Sequence, residues 1–280
     1  FLDQVYLHRD LMQKEFGYFT TTFRNTELIY QDRLSDIIFE IEGFKTIITE
    51  GVDRILQWRS PLYAYKNYSK NVNLLLKYYQ LADDIAFRFS NRDWPEYPLT
   101  VDKFIHWIDQ LTLAEKGGKN LFLNLFMDYE TFGEHQWAST GIFDFMRHFP
   151  DAVLAREHLG FAHPKDISHL ANYQQESLSF PEPVSWADEQ RDISAWLGNE
   201  MQQNASETLY ELLNRIKEKG DEELLRIARL LSTSDHFYYM CSKYFQDGDV
   251  HKYFSPYDSP DQAYIYYINA LAELEELLLR

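Results

Sequence analysis

The run Leu-Phe-Leu-Asn-Leu-Phe-Met, Leu121 to Met127, is nearly all apolar and ends directly in Asp128. An apolar run of that length fits a strand buried on both faces, the usual condition of a parallel sheet covered by helices. Working outward, Phe44 to Thr49 (FKTIIT) is a second, β-branched run that stops at the turn Glu50-Gly51. Around these runs the apolar spacing is helical over Leu2 to Phe16, closed by Gly17, and again over Asp32 to Ile41 and Asn71 to Phe89. Thr100 is placed to cap a further helix, TVDKFIHWIDQL, with Gly117-Gly118 separating it from the apolar run. Strands alternating with helices predict an α/β architecture, open or barrel-like.

The pattern changes near Ser179-Phe180-Pro181-Glu182-Pro183. Beyond it helical spacing dominates: Asp188 to Gln203, Ser206 to Lys219, Asp221 to Leu231 and Asp261 to Leu279, with Gly220 at a helix end and Asp221 placed to cap the next. Residues 1–180 therefore read as an α/β part and residues 181–280 as a helical bundle region.

Composition narrows the partners. The chain has 280 residues, 45% of them hydrophobic, enough for a sizeable core. Its 27 Lys and Arg stand against 44 Asp and Glu, a net charge of −17, which argues against nucleic acid and suits a neutral ligand. The 20 Tyr, 20 Phe and 6 Trp supply faces that pack on sugar rings, although most such residues fill core. A single cysteine, Cys241, excludes an internal disulfide framework and favours a reducing compartment, so a cytoplasmic location is expected. No apolar stretch reaches membrane-span length, and no signal peptide is visible. The opening residue, Phe1, already lies in a helical pattern, as in a chain that begins inside a longer protein.

In parallel α/β proteins, chemistry sits where strands end and loops begin. Three acids follow strand candidates here: Glu27 after Phe23-Arg24-Asn25-Thr26, Glu50 after FKTIIT, and Asp128 after LFLNLFM. Glycoside hydrolysis needs one carboxylic acid to protonate the leaving oxygen and a second carboxylate as nucleophile or as base toward water. An acid beside a turn is also simply common, so strand ends alone leave both meanings open. The nine histidines form no HExxH and no tight ligand cluster, which weighs against a catalytic metal and against a metal-dependent deacetylase. No G-x-S-x-G nucleophile elbow occurs.

Longer motifs are more specific. MDYETFGEHQW, Met127 to Trp137, resembles the conserved region of family 57 glycoside hydrolases in which an Asp-x-Glu-x-Phe-Gly pattern carries the general acid/base. FRNTELIY, Phe23 to Tyr30, resembles the region that presents the nucleophile, and TSDHFYYM, Thr233 to Met240, the region that contributes substrate-binding side chains. SWADEQRDISAWLGN, Ser185 to Asn199, and DGDVHKYFSPYDSP, Asp247 to Pro260, resemble the α-amylase-like branch. The resemblance implies an incomplete (β/α) barrel followed by a helical region, with Glu27 as nucleophile, Asp128 as general acid/base and no cofactor. It also implies a retaining mechanism on α-1,4-glucans or maltooligosaccharides. Arg24 or the Asn25 amide is placed to keep Glu27 ionised. Glu130, Asp235 and His236 become candidate sugar contacts. His135 either bonds a sugar, orients Glu130 or is structural, and Trp186 is either a sugar platform or core. The family's first region, a strand with a His-Gln-Pro type motif, has no counterpart in this sequence, and the second cannot be placed. The same resemblance admits a 4-α-glucanotransferase or branching enzyme, or a glucan-binding fragment without catalysis.

Overall fold

The computed structural model describes residues 1–69, 71–114, 120–170, 176–243 and 255–280. They form two compact units, Phe1–Val184 and Ser185–Arg280. Gly117-Gly118 and most of Asp247 to Pro260 lie outside the described residues.

The first unit is a mixed α/β fold around a five-stranded sheet ordered β1-β2-β4-β3-β5. Helix α1 (Leu2–Phe16) ends at Gly17, whose φ of 66° is a conformation glycine adopts at little cost. Strand β1 (Thr22–Arg24) leads through a turn to α2 (Asp32–Phe39), and β2 (Thr46–Glu50) leads to the short α3 (Asp53–Leu56). Strands β3 (Tyr65–Asn67) and β4 (Asn73–Lys77) follow, then α4 (Tyr79–Asp83) and a π-helical stretch, Asp84–Arg88. Helices α5 (Val101–Ala114), α6 (Ile142–Leu154) and α7 (Ile167–Leu170) precede β5 (Ser177–Leu178). Strands β1, β2 and β4 are mutually parallel, β3 is antiparallel to β4, and β5 is parallel to β3.

The strand buried on both faces is β4. All five of its residues are buried. Leu74 and Leu76 join Phe23, Ile47, Ile38, Val52, Leu56, Phe180 and Val184 in one core, while Leu75 packs with Ala64, Ile48, Phe122, Phe126 and Ile167 on the opposite face. This corrects the continuous helix expected over Asn71 to Phe89. The strand and α4 are separated by Tyr78 alone, with no glycine or proline, so the apolar run flows into the helical pattern. A short apolar run cannot be told from a buried helix segment by periodicity.

Leu121 to Met127 is half-buried rather than buried on both faces. It joins the sheet through one parallel bridge, Lys77 to Asn124, with the Tyr78 N–H donating to the Asn124 carbonyl at 2.9 Å. Its alternation is still that of a strand. Phe122 and Phe126 face the Leu75 cluster, and Leu123, Leu125 and Met127 pack into the third core with Leu81, Phe104, Ile105, Ile108 and Phe145.

In the second unit, α8 (Ser194–Leu197) precedes α9 (Glu200–Lys219), α10 (Glu222–Leu231), α11 (Ser234–Tyr238) and α12 (Pro260–Leu279). Helix α9 lies against α10 and α12. Asn199 and Gln202 form a capping box at its start, and the Gln202 amide also donates to the carbonyls of Ala195 (2.7 Å) and Phe237 (2.9 Å). Asp221 caps α10, and Ser259 caps α12. Cys241 is buried beside Met240.

The helix expected over Asp188 to Gln203 is not continuous: it is absent up to Ile193 and is interrupted between α8 and α9. Asp188 and Arg191 take left-handed conformations with φ of 49° and 50°. The Asp188 carboxylate accepts from the Gln190 N–H at 2.9 Å and the Asp192 carboxylate from the Ser194 N–H at 2.8 Å. Aspartates bonding the backbone two residues ahead stabilise turns in competition with helix, and α9 starts only where Asn199 can cap it.

One glycine ties β2 to β4. A Cβ on Gly51 would lie 2.3 Å from the Lys77 carbonyl oxygen and 3.3 Å from the Pro61 Cβ. Gly51→Ala is expected to destabilise the chain by about 1–3 kcal/mol, the usual cost of overpacking, read as a lower urea midpoint. An unchanged midpoint would show that the two strand exits are not held that close.

Candidate active site

The pleat fixes which charged residues share a face. In the parallel register Arg24 pairs with Ile48, Glu50 with Lys77, and Lys77 with Asn124. Side chains alternate with period two, so Arg24, Glu50, Lys77 and Asp128 all belong to the face that carries Ile48 and Leu75, at the carboxyl edge of their strands. The contacts agree. Arg24 Nη2 lies 3.8 Å from Asp128 Oδ1, and Lys77 Nζ lies 3.8 Å from Glu50 Oε2 and 3.1 Å from Asp83 Oδ1.

The three strand-end acids have different surroundings. Glu50 is 0% exposed; its Oε1 accepts from the Gly51 N–H at 2.7 Å while Oε2 faces Lys77. A carboxylate so enclosed serves the sheet end rather than a substrate. The Asp128 side chain is 48% exposed and heads the loop that follows the apolar run. Burial of the rest of its surface pushes its proton affinity above the ordinary carboxylate value. Glu130 adds to that rise, and Arg24, Lys77 and His135 oppose it. The exposed Arg24 pair contributes at most about 1 kcal/mol to stability; its larger effect is on the proton.

The Asp128 loop is closed by hydrogen bonds. The Glu130 carbonyl accepts from the N–H groups of Glu134 (3.1 Å) and His135 (3.0 Å), so His135 and Glu130 are joined through backbone. Buried Gln136 donates its side-chain amide to the Ala86 carbonyl at 2.9 Å, anchoring the loop to the π-helical stretch. Tyr129, directly after Asp128, is 96% exposed, and Trp137 is 65% exposed.

Glu27 sits on a strained turn. Its φ of 53° and the φ of 51° at Leu28 are consecutive left-handed conformations in residues with full side chains. Each costs on the order of 1–2 kcal/mol, and such strain persists where the surroundings over-determine it, often at functional sites. The turn is pinned by the Thr49 hydroxyl donating to the Leu28 carbonyl at 3.2 Å and the Asn25 amide donating to the Ile29 carbonyl at 3.2 Å. Asn25 thus closes the turn, and Arg24 reaches across to Asp128. Glu27 itself is half-buried.

Trp186, Asp235 and His236 belong to the second unit. Trp186 is half-buried, Asp235 is exposed on α11, and the His236 ring packs on Tyr267 with centroids 5.2 Å apart. Burial lowers the proton affinity of His236, favouring the neutral ring. Among the described residues no cluster of three or more His, Cys, Asp or Glu could hold a metal ion, and no helix is long and apolar enough to cross a membrane.

Sequence reasoning missed Lys77, the cation at the centre of this edge, because it fell inside the expected helix. An apolar triplet closed by a charge, Leu74-Leu75-Leu76-Lys77, is the same signal that singled out Asp128.

Comparison with known proteins places this edge in a lineage. Residues 1–181, which hold Glu27, Glu50, Lys77 and Asp128, match glycosyl hydrolase family 57. The chain belongs to glycosyl hydrolase family 57. A Methanocaldococcus jannaschii protein named "Putative alpha-amylase" is 41% identical over 284 residues, covering 98% of this chain and 59% of that protein. The fold is similar to a family 57 branching enzyme from Thermococcus kodakaraensis, with a TM-score of 0.67 at 14% identity, over 99% of this chain and 62% of that one. It is also similar to the α-amylase AmyC from Thermotoga maritima, with a TM-score of 0.64 at 12% identity, over 99% of this chain and 63% of that one. The family 57 chain described here thus spans about three-fifths of the length of each.

Strain at Glu27 has a measurable consequence. Glu27→Gly relieves the side-chain clash of a left-handed residue and is expected to raise the unfolding free energy by about 0.5–1 kcal/mol, while removing the carboxylate. A lower stability would mean that the turn does not store strain.

Proposed function

We propose that this chain carries the catalytic pair of a retaining glycoside hydrolase acting on α-1,4-glucans, an α-amylase, with Glu27 as nucleophile and Asp128 as general acid/base. The observation that carries this is the pairing of two unlike carboxyls at one carboxyl edge. Glu27 is presented by a strained turn after β1, and Asp128, with raised proton affinity, is tied to the last residue of that same strand through Arg24. A carboxyl with raised proton affinity suits the acid/base role, which leaves the carboxyl on the turn after β1 for the nucleophile. Family membership supports the glycoside hydrolase class, and the α-amylase name of the Methanocaldococcus jannaschii relative supports the substrate.

The two steps then balance. The Glu27 carboxylate forms a bond to the anomeric carbon as the glycosidic C–O bond breaks, and the Asp128 proton passes to the leaving oxygen. Ionised Asp128 next takes a proton from water as that oxygen attacks the anomeric carbon, and Glu27 departs as a carboxylate. Glu130 and His135, in the Asp128 loop, are proposed as sugar contacts, as are Trp186, Asp235 and His236 of the second unit.

A second reading is transfer to a sugar acceptor, as in a 4-α-glucanotransferase or branching enzyme. The exposed ring of Tyr129, the residue after Asp128, favours it, since an aromatic face next to the acid/base can hold an acceptor sugar. Reducing ends rise under hydrolysis and are conserved under transfer.

The test is turnover of a maltooligosaccharide, followed by reducing ends and product lengths. Asp128→Asn is expected to lose about 10²–10⁴-fold, and Glu27→Gln to abolish formation of the covalent intermediate. Turnover that survives both changes would refute the pair. Glucan binding without turnover in the unaltered chain would assign it the role of a binding fragment.

A further inference from the structure

Resting on that reading of Asp128, we propose that Lys77 is a positioning residue for the acid/base. Clamped between Glu50 and Asp83 at the end of β4, it holds one fixed positive charge on the face shared with Asp128. That charge keeps the carboxyl able to give up a proton in the first step and retake one in the second.

Lys77 is 5% exposed and Glu50 is 0% exposed. An ammonium taken out of water is unfavourable unless anions surround it. Two do: Glu50 directly opposite in the β2–β4 register at 3.8 Å, and Asp83 one helical turn into α4 at 3.1 Å. Glu50 is fixed in turn by the Gly51 N–H at 2.7 Å. These contacts leave the lysine little freedom to swing away. A buried ion pair is weak evidence for stability, since apolar residues of similar volume commonly do as well. Its place at the carboxyl edge, on the parity of Asp128, calls for another explanation.

Electrostatics supplies one. Desolvation is the largest influence on Asp128 and raises its proton affinity; Glu130 in its own loop acts the same way. Opposing them are Arg24 from β1, Lys77 from β4 and His135 from the Asp128 loop. Arg24 and His135 are exposed and screened by solvent and salt, whereas Lys77 is buried and screened much less. A carboxyl locked in the protonated form could start the reaction and not complete it. Lys77 is the opposing charge that ionic strength weakens least, and the two anions beside it, Glu50 and Asp83, work against its pull.

This arrangement predicts opposite signs for two neighbouring substitutions. Removing the cation in Lys77→Met raises the Asp128 midpoint, since an opposite charge favours the ionised carboxyl. Removing a neutralising anion in Glu50→Gln, which still accepts from the Gly51 N–H, lowers it. Lys77→Arg restores the value of the unaltered chain. The midpoint is read directly by carbon-13 NMR titration of aspartate carboxyls in the folded chain, with the signal assigned by its loss in Asp128→Asn. In the same variants the basic limb of the pH profile for maltooligosaccharide turnover moves with it.

A merely structural role for Lys77 moves stability and leaves the midpoint in place, so an unmoved midpoint in folded Lys77→Met or Glu50→Gln, or a fall in Lys77→Met, overturns the proposal. If Lys77→Met does not fold, the downward shift in Glu50→Gln with no shift in Lys77→Arg still decides it. A midpoint that moves as expected in a chain that turns over no glucan supports the charge relation and counts against the hydrolase reading instead.

Discussion

Glu50 and Lys77 are buried opposite each other at the last residues of two parallel strands, and the geometry of the sheet's carboxyl edge follows from keeping them together. Neither charge is tolerable alone in that position. The pair therefore fixes the register of β2 on β4, and the register decides which neighbours share their face. Gly51 lets the two strand exits run within van der Waals distance. The Lys77–Asn124 bridge then sets the phase of the apolar run that ends in Asp128. On the other side, Arg24 closes β1 on that same face. A carboxylate and an ammonium useless as a surface ornament become, when buried, the element that aligns three chain segments.

The same edge is where local rules are broken. Two consecutive residues with side chains occupy left-handed backbone at Glu27 and Leu28. A strand continued regularly from Arg24 would keep strict alternation through position 27; the turn replaces that alternation with a fixed presentation. Thr49 on β2 and Asn25 on β1 hold it closed. Two consecutive left-handed residues at the carboxyl end of a strand are the kind of local strain that functional edges carry.

How much of this was legible in the sequence depended on punctuation. Helices α1, α5, α10 and α12 are bounded by Gly17, Thr100, Asp221 and Ser259-Pro260, and β2 by Glu50-Gly51, so their extents could be read from residues that act locally. Strand β4 has no such boundary before α4 and was absorbed into a helix. The polar stretch from Asp188 looked helical because aspartate side chains that close turns carry no signature in a hydrophobic pattern. At the site, the acids ending two strand-like runs were visible as residue types in position. The left-handed turn at Glu27 was not, since no glycine marks it. Lys77 was hidden because its meaning depends on which strand lies beside which, a property of the sheet and not of any window along the chain.

In the proposed retaining mechanism, Glu27 is the group that bonds to the sugar. Incubation with a 5-fluoro-maltosyl fluoride, which forms the glycosyl-enzyme and slows its hydrolysis, followed by peptide mass mapping, tests that directly. A covalent sugar on the peptide containing Glu27, and its loss in Glu27→Gln, is the predicted result. A sugar attached at Glu50 or another carboxylate would contradict the assignment of the carboxyl edge made here.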